Sequence, residues 1–275
     1  MNESLILLVK QAISEDMPKG DITTDSLDLG QKRGRARLIA KEDLVLSGSE
    51  VFSLTFKTIN DRVDLLWQFR DGDFIFKHQT VCVATGELQA LLKAERVALN
   101  FLGRLSGIAS LTRCFVNAVK ESDTIILDTR KTTPGLRALE KKAVVHGGGQ
   151  NHRMNLSDAI LIKENHIQAA GGLKAAVQAV KKLKRPIEVE VKNLDEVREV
   201  LNYGVDHIMF DNMSDLDMKE ALKLIPSTIK TEASGNMRLD RVSSVAQLGV
   251  NFISVGAITH SAPSADFSLI FEDIV

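Results

Sequence analysis

Short apolar, β-branched runs alternate with helical patterns from about residue 125 onward. Six runs are predicted to be strands: IILDTR (125–130), AILIK (159–163), IEVEV (187–191), HIMFD (207–211), IKTEAS (229–234) and FISVG (252–256). This alternation is typical of a parallel sheet or barrel built from βα units. Because a closed barrel of this kind has eight units, we expect an α/β barrel that is incomplete or open on one side. Asn193 and Asp215 are predicted to cap two of the intervening helices.

The first 110 residues have a different pattern. A helical start is followed by four strand-like runs, RARLIAK, DLVLSG, DLLWQFR and QTVCVATGE, and then by a helical stretch from about Leu88 to Val119. Strands grouped between helices predict a small α+β domain over residues 1–110, which precedes the barrel domain over 111–261. The tail, 262–275, is too short for another βα unit, and we expect it to pack with the N-terminal domain.

Charge and cysteine content exclude some partners. The chain has 35 Lys and Arg against 36 Asp and Glu, so its overall charge gives no reason to expect a nucleic acid or an anionic membrane as partner. Cys82 and Cys114 lie in apolar segments and are predicted to be packed, reduced thiols, as in a cytoplasmic protein. The N-terminal segment is typical of an amphipathic helix rather than of a signal peptide, and no stretch reaches the length of a membrane span.

Side chains suited to chemistry follow all six predicted strands, where barrel enzymes place their working groups. The first two βα units carry a cationic group: Arg130, Lys131, His152, Arg153 and Lys163. Such a group can hold a polyanion or several carboxylates by charge-assisted hydrogen bonds. At any single strand end the alternative is a charge that only faces solvent. Six strand ends in register favour a site for a strongly anionic ligand.

Two acidic residues end neighbouring strands. Alternation in IEVEV places Glu188 and Glu190 on one side of their strand, and Asp211 ends the next strand. Glu190 and Asp211 could together hold a magnesium ion whose remaining ligands are water. The alternative is that they only neutralise nearby lysines.

Glycines mark two further places. Ser234 and Gly235 follow the fifth strand and Gly256 follows the sixth, where backbone N–H groups of a barrel often bind phosphate. The segment HGGGQNHR, 146–153, contains three consecutive glycines. They predict a tight backbone path past a ligand or a movable loop. His152 follows them and is expected to contact the ligand, whereas His146 is expected at the surface or at a helix end.

These segments closely resemble the quinolinate phosphoribosyltransferase family, also called nicotinate-nucleotide pyrophosphorylase (carboxylating). The matching segments are EDMPKGDITTD, ERVALNFLGRLSGIAS, DTRKTTPGLRALEKKAVVHGGGQNHR, LIKENHI, EVEV, FDNM, EASG and SVGAITHSA, which together run through nearly the whole chain. The resemblance implies an enzyme that transfers the ribose 5-phosphate unit of phosphoribosyl pyrophosphate to quinolinate with decarboxylation. The products would be nicotinate mononucleotide, pyrophosphate and CO2, as in de novo NAD biosynthesis.

The resemblance also implies an α/β sandwich beside an open α/β barrel, with each active site covered by the neighbouring subunit of a homodimer. Further assembly into a hexamer stays open. Arg130, His152 and Arg153 would bind the quinolinate carboxylates. Arg96 would complete this set from the neighbouring subunit.

The remaining roles also come from the resemblance. Lys131 and Lys163 would face the pyrophosphate and the substrate anions. Glu190 and Asp211 would hold the ribose hydroxyls and Mg2+. The 5-phosphate would lie against three residues: Ser234, Gly235 and Gly256.

Three positions depart from the family pattern. Lys142 stands where Tyr is frequent, Asn155 where Gly is usual, and Asn236 where a second Gly often follows Ser-Gly. None of them removes a proposed catalytic group. Asn236 could alter the phosphate loop, although Asn tolerates a left-handed backbone better than most residues.

Three other functions remain open. A related phosphoribosyltransferase could act on another aromatic acid, although Arg96, Arg130 and Arg153 favour a dicarboxylate. A Schiff-base aldolase could use Lys163 at its strand end. A barrel could also bind a metabolite without catalysis. Neither of the last two explains the glycines and the acidic pair together.

Overall fold

The computed structural model describes residues 3–274. In chain order the helices and strands are α1 (Glu3–Asp16), α2 (Ile22–Ser26), β1 (Arg33–Ala40), β2 (Leu44–Val45), α3 (Ser49–Ile59), β3 (Asp64–Trp67), β4 (Phe74–Ile75), β5 (Thr80–Glu87), α4 (Leu88–Ala118), β6 (Ile125–Leu127), α5 (Arg137–His146), β7 (Ile160–Ile162), α6 (Glu164–Ala170), α7 (Leu173–Lys181), β8 (Ile187–Val191), α8 (Leu194–Val200), β9 (His207–Asp211), α9 (Asp215–Leu224), β10 (Lys230–Ser234), α10 (Val242–Gln247), β11 (Phe252–Ser254), α11 (Ala257–His260) and β12 (Phe267–Ile274). None of these helices combines the length and apolar character needed to cross a membrane.

The chain forms two compact units. The first comprises the chain up to Leu111, Pro134–Gly148 and the chain from Ala262, and the second comprises Thr112–Thr133 and Gly149–Ser261. The sequence-based division assigned 134–148 to the barrel, whereas this segment, with α5, groups with the first unit. A buried ion pair explains the grouping: Glu140 of α5 is fully buried and lies 2.9 Å from the guanidinium of Arg104 in α4.

The first unit contains a four-stranded antiparallel sheet in the order β12-β1-β5-β3. Alternate residues of β1 and β5 are buried, and they form one apolar core with α3 and α4. Phe52, Phe56 and Leu102 are fully buried there. The C-terminal tail thus supplies an edge strand of this sheet, because β12 pairs with β1.

The segment before β12 lies close against α4. A Cβ atom added to Gly107 would lie 1.8 Å from the carbonyl oxygen of Pro263, and one added to Gly103 would lie 2.8 Å from that of Ala265. The Ala265 N–H also donates to the Gly103 carbonyl, 2.9 Å away. Glycine is therefore required at these two helical positions by the close approach of another backbone segment.

The second unit contains a six-stranded parallel sheet in the order β6-β11-β10-β9-β8-β7. In residues 3–274, β6 and β7 are its two edge strands and do not pair with each other. The expected open α/β architecture is therefore confirmed, and β8 and β9 have the predicted bounds. On β8, Val189 and Val191 are buried, whereas Glu188 and Glu190 share the opposite face.

Two local expectations were wrong. Ser214, not Asp215, caps α9, because its hydroxyl accepts from the backbone N–H of Asp217 at 3.1 Å. Cys82 is buried as expected, but Cys114 is exposed. Burial raises the pKa of the Cys82 thiol to about 12. The other predicted cap, Asn193, is confirmed by its side chain accepting from the Glu196 N–H at 2.9 Å.

Candidate active site

A cavity of about 720 Å³ opens at the carboxyl ends of the parallel strands. Its lining residues all belong to the second unit: Thr129, Arg130, Lys131, His152, Arg153, Leu161, Lys163, Glu190, Met209, Asp211, Asn212, Ser234, Gly235, Asn236, Met237, Arg238, Ser254, Gly256, Ala257 and His260. Ten of the eleven residues singled out from the sequence are among them. The eleventh, Arg96, lies on α4.

The cationic side of the cavity is fixed by backbone contacts. The Arg153 guanidinium donates to the carbonyl of Ala159 at 3.2 Å, and the Thr259 hydroxyl donates to the carbonyl of Lys131 at 2.8 Å. Burial and the charge of Arg130 lower the pKa of Arg153, while Glu188 and Glu190 oppose that shift. Guanidinium groups remain protonated in proteins, so these contacts aim fixed positive charge at the cavity.

The acidic side of the cavity carries Glu190 and Asp211. Glu190 forms an ion pair with Lys163, and Asp211 accepts from the Asn212 amide at 2.9 Å. Since Glu190 is level with Met209 on β9, and Asp211 lies two residues further, both carboxylates face the cavity side of the sheet. Two carboxylates at adjacent strand ends match the oxygen ligands that Mg2+ prefers, with water completing the shell.

The loop after β10 has an unusual backbone. Gly235 and Asn236 have φ angles of 88° and 49°, and Asn212 after β9 has a φ of 56°. The Asn236 amide donates to the Asn212 side chain at 3.0 Å. Asn236 thus adopts the left-handed backbone for which Gly is usual, and its side chain ties the loop after β10 to the loop after β9.

A buried polar layer lies on the inward side of the sheet, one step back along the strands from the cavity-lining residues. Glu188 and His207 are level on β8 and β9, and Glu232 of β10 is fully buried. The His152 Nε2 lies 3.3 Å from Glu188 and 3.7 Å from Glu232. Ser254 donates to Glu232 Oε1. The sequence pattern alone predicts no role in the site for Glu188, His207 or Glu232.

Burial sets the protonation of this layer. It raises the pKa of Glu232 to about 8, reinforced by the charge of Glu188 and opposed by His152 and Ser254. Burial lowers the pKa of His207. For His152, burial is outweighed by the hydrogen bond to Glu188 and by the nearby carboxylates, so its pKa is raised. Near pH 7, Glu232 is therefore neutral.

The three-glycine segment does not line the cavity. Gly147 ends α5, donating to the carbonyl of Ala143 at 3.0 Å, and Gly148 has a φ of 94°. The chain then runs beside β6, where Gln150 and Leu127 form an isolated parallel β-bridge. The expected close passage of these glycines along a ligand is wrong: their backbone ends a helix and leads into Gln150–Arg153. His146 at the end of α5 is half-buried, 2.9 Å from the Ser47 hydroxyl.

Arg96 is exposed on α4. It lines a separate recess of about 270 Å³ in the first unit, together with Asn100, Gly103 and the segment Ser264–Phe267. The sequence had no signal for this recess, because the residues that form it are far apart in the chain.

Some lining residues went unassigned in the sequence analysis. Arg238 and His260 add cationic or titratable groups to the cavity. Both lie beyond a strand end by several residues, so the strand-end rule did not reach them. Met209 and Met237 supply apolar lining, and nothing in their sequence context distinguishes them from core methionines.

Comparison with known proteins adds to this geometry. The family model described as quinolinate phosphoribosyl transferase, N-terminal domain, matches residues 21–106, and that of the C-terminal domain matches residues 108–270. The chain is 40% identical over 284 residues to the chloroplastic nicotinate-nucleotide pyrophosphorylase (carboxylating) of Arabidopsis thaliana, covering 95% of this chain and 81% of the relative. It is 39% identical to quinolinate phosphoribosyltransferase (decarboxylating) 1b of Nicotiana tabacum, with the same two coverages.

A solved structure is similar along nearly the full length. The nicotinate-nucleotide pyrophosphorylase from Francisella tularensis superposes with a TM-score of 0.95 at 36% sequence identity, covering 99% of this chain and 97% of that one. Both compact units therefore have counterparts in a single solved chain.

Proposed function

Because this chain belongs to the quinolinate phosphoribosyltransferase family and is a pentosyl-transferring enzyme of NAD biosynthesis, we propose that the cavity of its second unit binds both substrates at once. Its cationic side takes the quinolinate carboxylates, and its acidic side and glycine loop take phosphoribosyl pyrophosphate. The observation that carries this assignment is the convergence of ten predicted residues, cationic and acidic, on one cavity.

Arg130 and Arg153 supply the planar donors that pair best with carboxylates. Lys131 lies beside Gly256, whose added Cβ would be 3.1 Å from the Lys131 Cδ atom, so the aliphatic part of this side chain passes next to the proposed phosphate loop. We assign Lys131 to the pyrophosphate. Ser234, Gly235 and Gly256 offer hydroxyl and backbone donors to the 5-phosphate.

Catalysis in this cavity consists of positioning and charge stabilisation. The C–O bond to pyrophosphate breaks as positive charge develops on the ribose ring. The pyridine nitrogen then forms a bond to the ribose carbon from which pyrophosphate has left. Glu190 and Asp211 lie where they can hold the ribose hydroxyls and stabilise that charge. The ribosylated nitrogen is cationic, so it stabilises the electron pair left on the neighbouring ring carbon when its carboxylate leaves as CO2. That carbon then takes a proton from water. No side chain is required as a strong base.

Glu190 and Asp211 are also the residues that would hold Mg2+. The ion would neutralise charge on the leaving pyrophosphate. This assignment is supported by the two carboxylates at neighbouring strand ends and by their position in the cavity lining.

The experiment that tests the function is incubation of the purified protein with quinolinate, phosphoribosyl pyrophosphate and Mg2+, followed by chromatography for nicotinate mononucleotide. Product should appear with pyrophosphate and CO2 in equal amounts. Absence of product under these conditions, while the protein is folded, would contradict the assignment.

The ion pair of Lys163 argues against a Schiff-base aldolase. Its ammonium is paired with Glu190, whereas Schiff-base formation requires a free amine. Borohydride trapping with carbonyl substrates should therefore yield no adduct at Lys163.

We expect nicotinate to be a poor substrate compared with quinolinate. Without the second carboxylate, part of the Arg130 and Arg153 donor set loses its partner, and unpaired buried donors are costly. The expected loss in kcat/KM is on the order of 10⁴-fold. Steady-state rates with the two acids under identical conditions provide the comparison, and equal rates would rule out this role for the arginines.

We expect Glu190→Gln and Asp211→Asn to weaken use of the magnesium-bound donor while the fold stays intact, since both side chains end strands rather than fill a core. The KM for phosphoribosyl pyrophosphate should rise by at least on the order of tenfold, with the largest effect at low Mg2+. The matched control is Asp195→Asn, which alters an exposed carboxylate of the same unit paired with Arg198. Full activity of either site variant across a magnesium titration would show that Glu190 and Asp211 have only a structural role.

We infer a homodimer in which Arg96 serves the cavity of the neighbouring subunit. Supporting this are the exposure of Arg96 and its absence from the lining of the described cavity. Assembly beyond a dimer is not required by this arrangement. A cytoplasmic location is proposed because Cys82 and Cys114 are both free thiols, as is usual in a reducing compartment.

A further inference from the structure

The buried layer next to the cavity contains two atoms without hydrogen-bond partners. These are Glu232 Oε2 and His207 Nε2, and they lie 3.6 Å apart. Both side chains are held on neighbouring strands, because β9 and β10 pair over their whole length. Two unsatisfied atoms facing each other inside a protein require an explanation. Their separation of 3.6 Å is longer than a hydrogen bond. A slightly closer approach with one proton between them would satisfy both, because a carboxylic acid donates and a neutral imidazole nitrogen accepts.

The rest of Glu232 is already engaged. Its Oε1 accepts from Ser254, so the proton belongs on Oε2. Oε2 also lies 3.7 Å from His152 Nε2. The two histidines and Ser254 thus surround one buried carboxyl group, and a neutral acid fits this arrangement better than an ion with one unsatisfied oxygen.

His152 connects this layer to the cavity. Its Nε2 faces Glu188 at 3.3 Å, and its Nδ1 accepts from the backbone N–H of Arg153 at 2.7 Å. Asp128, which is fully buried, accepts from the His152 backbone N–H at 2.9 Å. Both ring nitrogens therefore have protein partners, and one of them fixes the backbone that carries the Arg153 guanidinium.

We propose that Glu232 is a positioning residue that acts as a buried neutral acid: with His207 it fixes Glu188 and His152, and through His152 it sets the position of Arg153 for the substrate acid. This inference rests on the proposed function, since it takes Arg153 as a carboxylate ligand. It adds a group that is fully buried and lies outside the cavity lining. The raised pKa of Glu232 is consistent with the neutral form near pH 7.

The charged and titratable groups around Glu232 come from several elements. Those that act on Glu232 directly are His152 before β7, Glu188 and Glu190 on β8, and His207 on β9. Asp128 after β6 and Lys230 on β10 act on its neighbours His152 and His207. Ionisation of Glu232 would place a second negative charge beside Glu188. The expected consequence is a shift of His152 toward the new charge and a weaker hydrogen bond from the Arg153 backbone N–H to His152 Nδ1.

Two substitutions separate positioning from simple packing. Glu232→Gln keeps the shape, accepts from Ser254 through its carbonyl and presents an N–H in place of the acid proton. Glu232→Ala removes both contacts. Thr231→Val is the control, since Thr231 is a buried residue of the same strand on the opposite face of the sheet.

The experiment measures quinolinate affinity by calorimetry and steady-state KM values from pH 6 to 9. Glu232→Gln should match wild type near pH 7, whereas Glu232→Ala should weaken quinolinate binding on the order of tenfold, with little change in the KM for phosphoribosyl pyrophosphate. Wild-type affinity should fall as the pH rises through about 8, the pKa of Glu232, and Glu232→Gln should not show that fall. Thr231→Val should change neither affinity nor its pH dependence.

Stability supplies a second measurement if Glu232→Ala does not fold. An acid whose folded pKa of about 8 exceeds its model value of 4.5 stabilises the fold fully below pH 4.5 and loses that contribution as the pH rises toward 8. The unfolding free energy of wild type should therefore decline relative to Glu232→Gln over this range. Parallel pH curves for the two proteins would overturn the neutral-acid assignment.

Three further outcomes decide the proposal. Equal weakening of quinolinate binding by Glu232→Gln and Glu232→Ala would show that the ionised carboxylate is needed. Unchanged quinolinate affinity in a folded Glu232→Ala would show a purely structural role. His152, Glu188 and Glu232 are also close enough to hold a metal ion. Stoichiometric Zn2+ binding that is lost in Glu232→Gln would show that a metal ion, and not a proton, lies between these groups. Calorimetric affinities need no turnover, so absence of product from wild type would count against the proposed function without deciding this test.

Discussion

A mixture of the Arg96→Ala and Lys163→Ala variants is expected to recover about a quarter of wild-type activity after subunit exchange, although each variant alone is inactive. The reason is geometric: Lys163 lines the cavity of its own subunit, whereas Arg96 is proposed to serve the neighbouring one. In a mixed dimer both lesions fall in one site and the other site is intact. With random exchange, about half of the dimers are mixed and half of their sites are complete. The measurement is activity against mixing ratio, with subunit exchange followed by mass spectrometry.

The control for this experiment is Arg62→Ala, which removes an exposed arginine of the same unit as Arg96 and should leave activity unchanged. If activity does not return although exchange is complete, Arg96 acts in its own subunit or in no site. If Arg96→Ala alone is active, the shared-site proposal fails at its first step.

Gly235→Ala is expected to reduce kcat/KM for phosphoribosyl pyrophosphate on the order of 100-fold, the scale of a misplaced binding loop. Gly235 has a φ of 88°, and a Cβ added there would lie 2.3 Å from the Asn212 Oδ1. Asn212 cannot move away freely, because it holds Asp211 and accepts from Asn236. The substitution therefore disturbs the proposed phosphate loop and the acidic side of the cavity together. Steady-state kinetics and thermal unfolding should both be measured.

Gly249 offers a matched control. Its φ is 92°, and a Cβ added there would meet nothing within 4 Å. Gly249→Ala thus carries the same backbone strain, about 1–2 kcal/mol, without the collision. It should lower the melting temperature and leave catalysis unchanged. Pairing Gly235→Ala with Asn212→Gly should relieve the collision and recover part of the lost stability, and equal catalytic losses in the two single alanine variants would contradict the explanation.

The strands of the parallel unit were predictable because each has a clear sequence pattern. In IEVEV and HIMFD, the runs are short, β-branched or aromatic, and bounded by loop residues, and both strands have the predicted bounds. Each strand end also fixes a side chain at a known level of the sheet. This rule correctly predicted that Lys163, Glu190 and Asp211 lie at one cavity.

The sequence could not predict the buried layer. A period of two says that Glu188, His207 and Glu232 face inward, but not whether water or protein fills the space around them. Only the structure shows that Glu188 and Glu232 lie 3.3 and 3.7 Å from His152 and that His207 lies 3.6 Å from Glu232. The glycines of HGGG misled for a related reason: a flexible backbone is required both at a ligand and at a helix end, and the sequence alone does not distinguish the two.

The pairing of β12 with β1 has a consequence for how the chain is made. Residues 33–40 leave the ribosome long before residues 267–274, so the first unit lacks an edge strand until residues 267–274 have been made. All strands of the second unit are available earlier, by residue 254. An unpaired edge of β1 exposes backbone groups that can recruit other strands, and domains fold as their segments emerge. The first unit, although its strand β1 is made first, is therefore completed last, and a chain that lacks residues 267–274 leaves the edge of β1 unpaired.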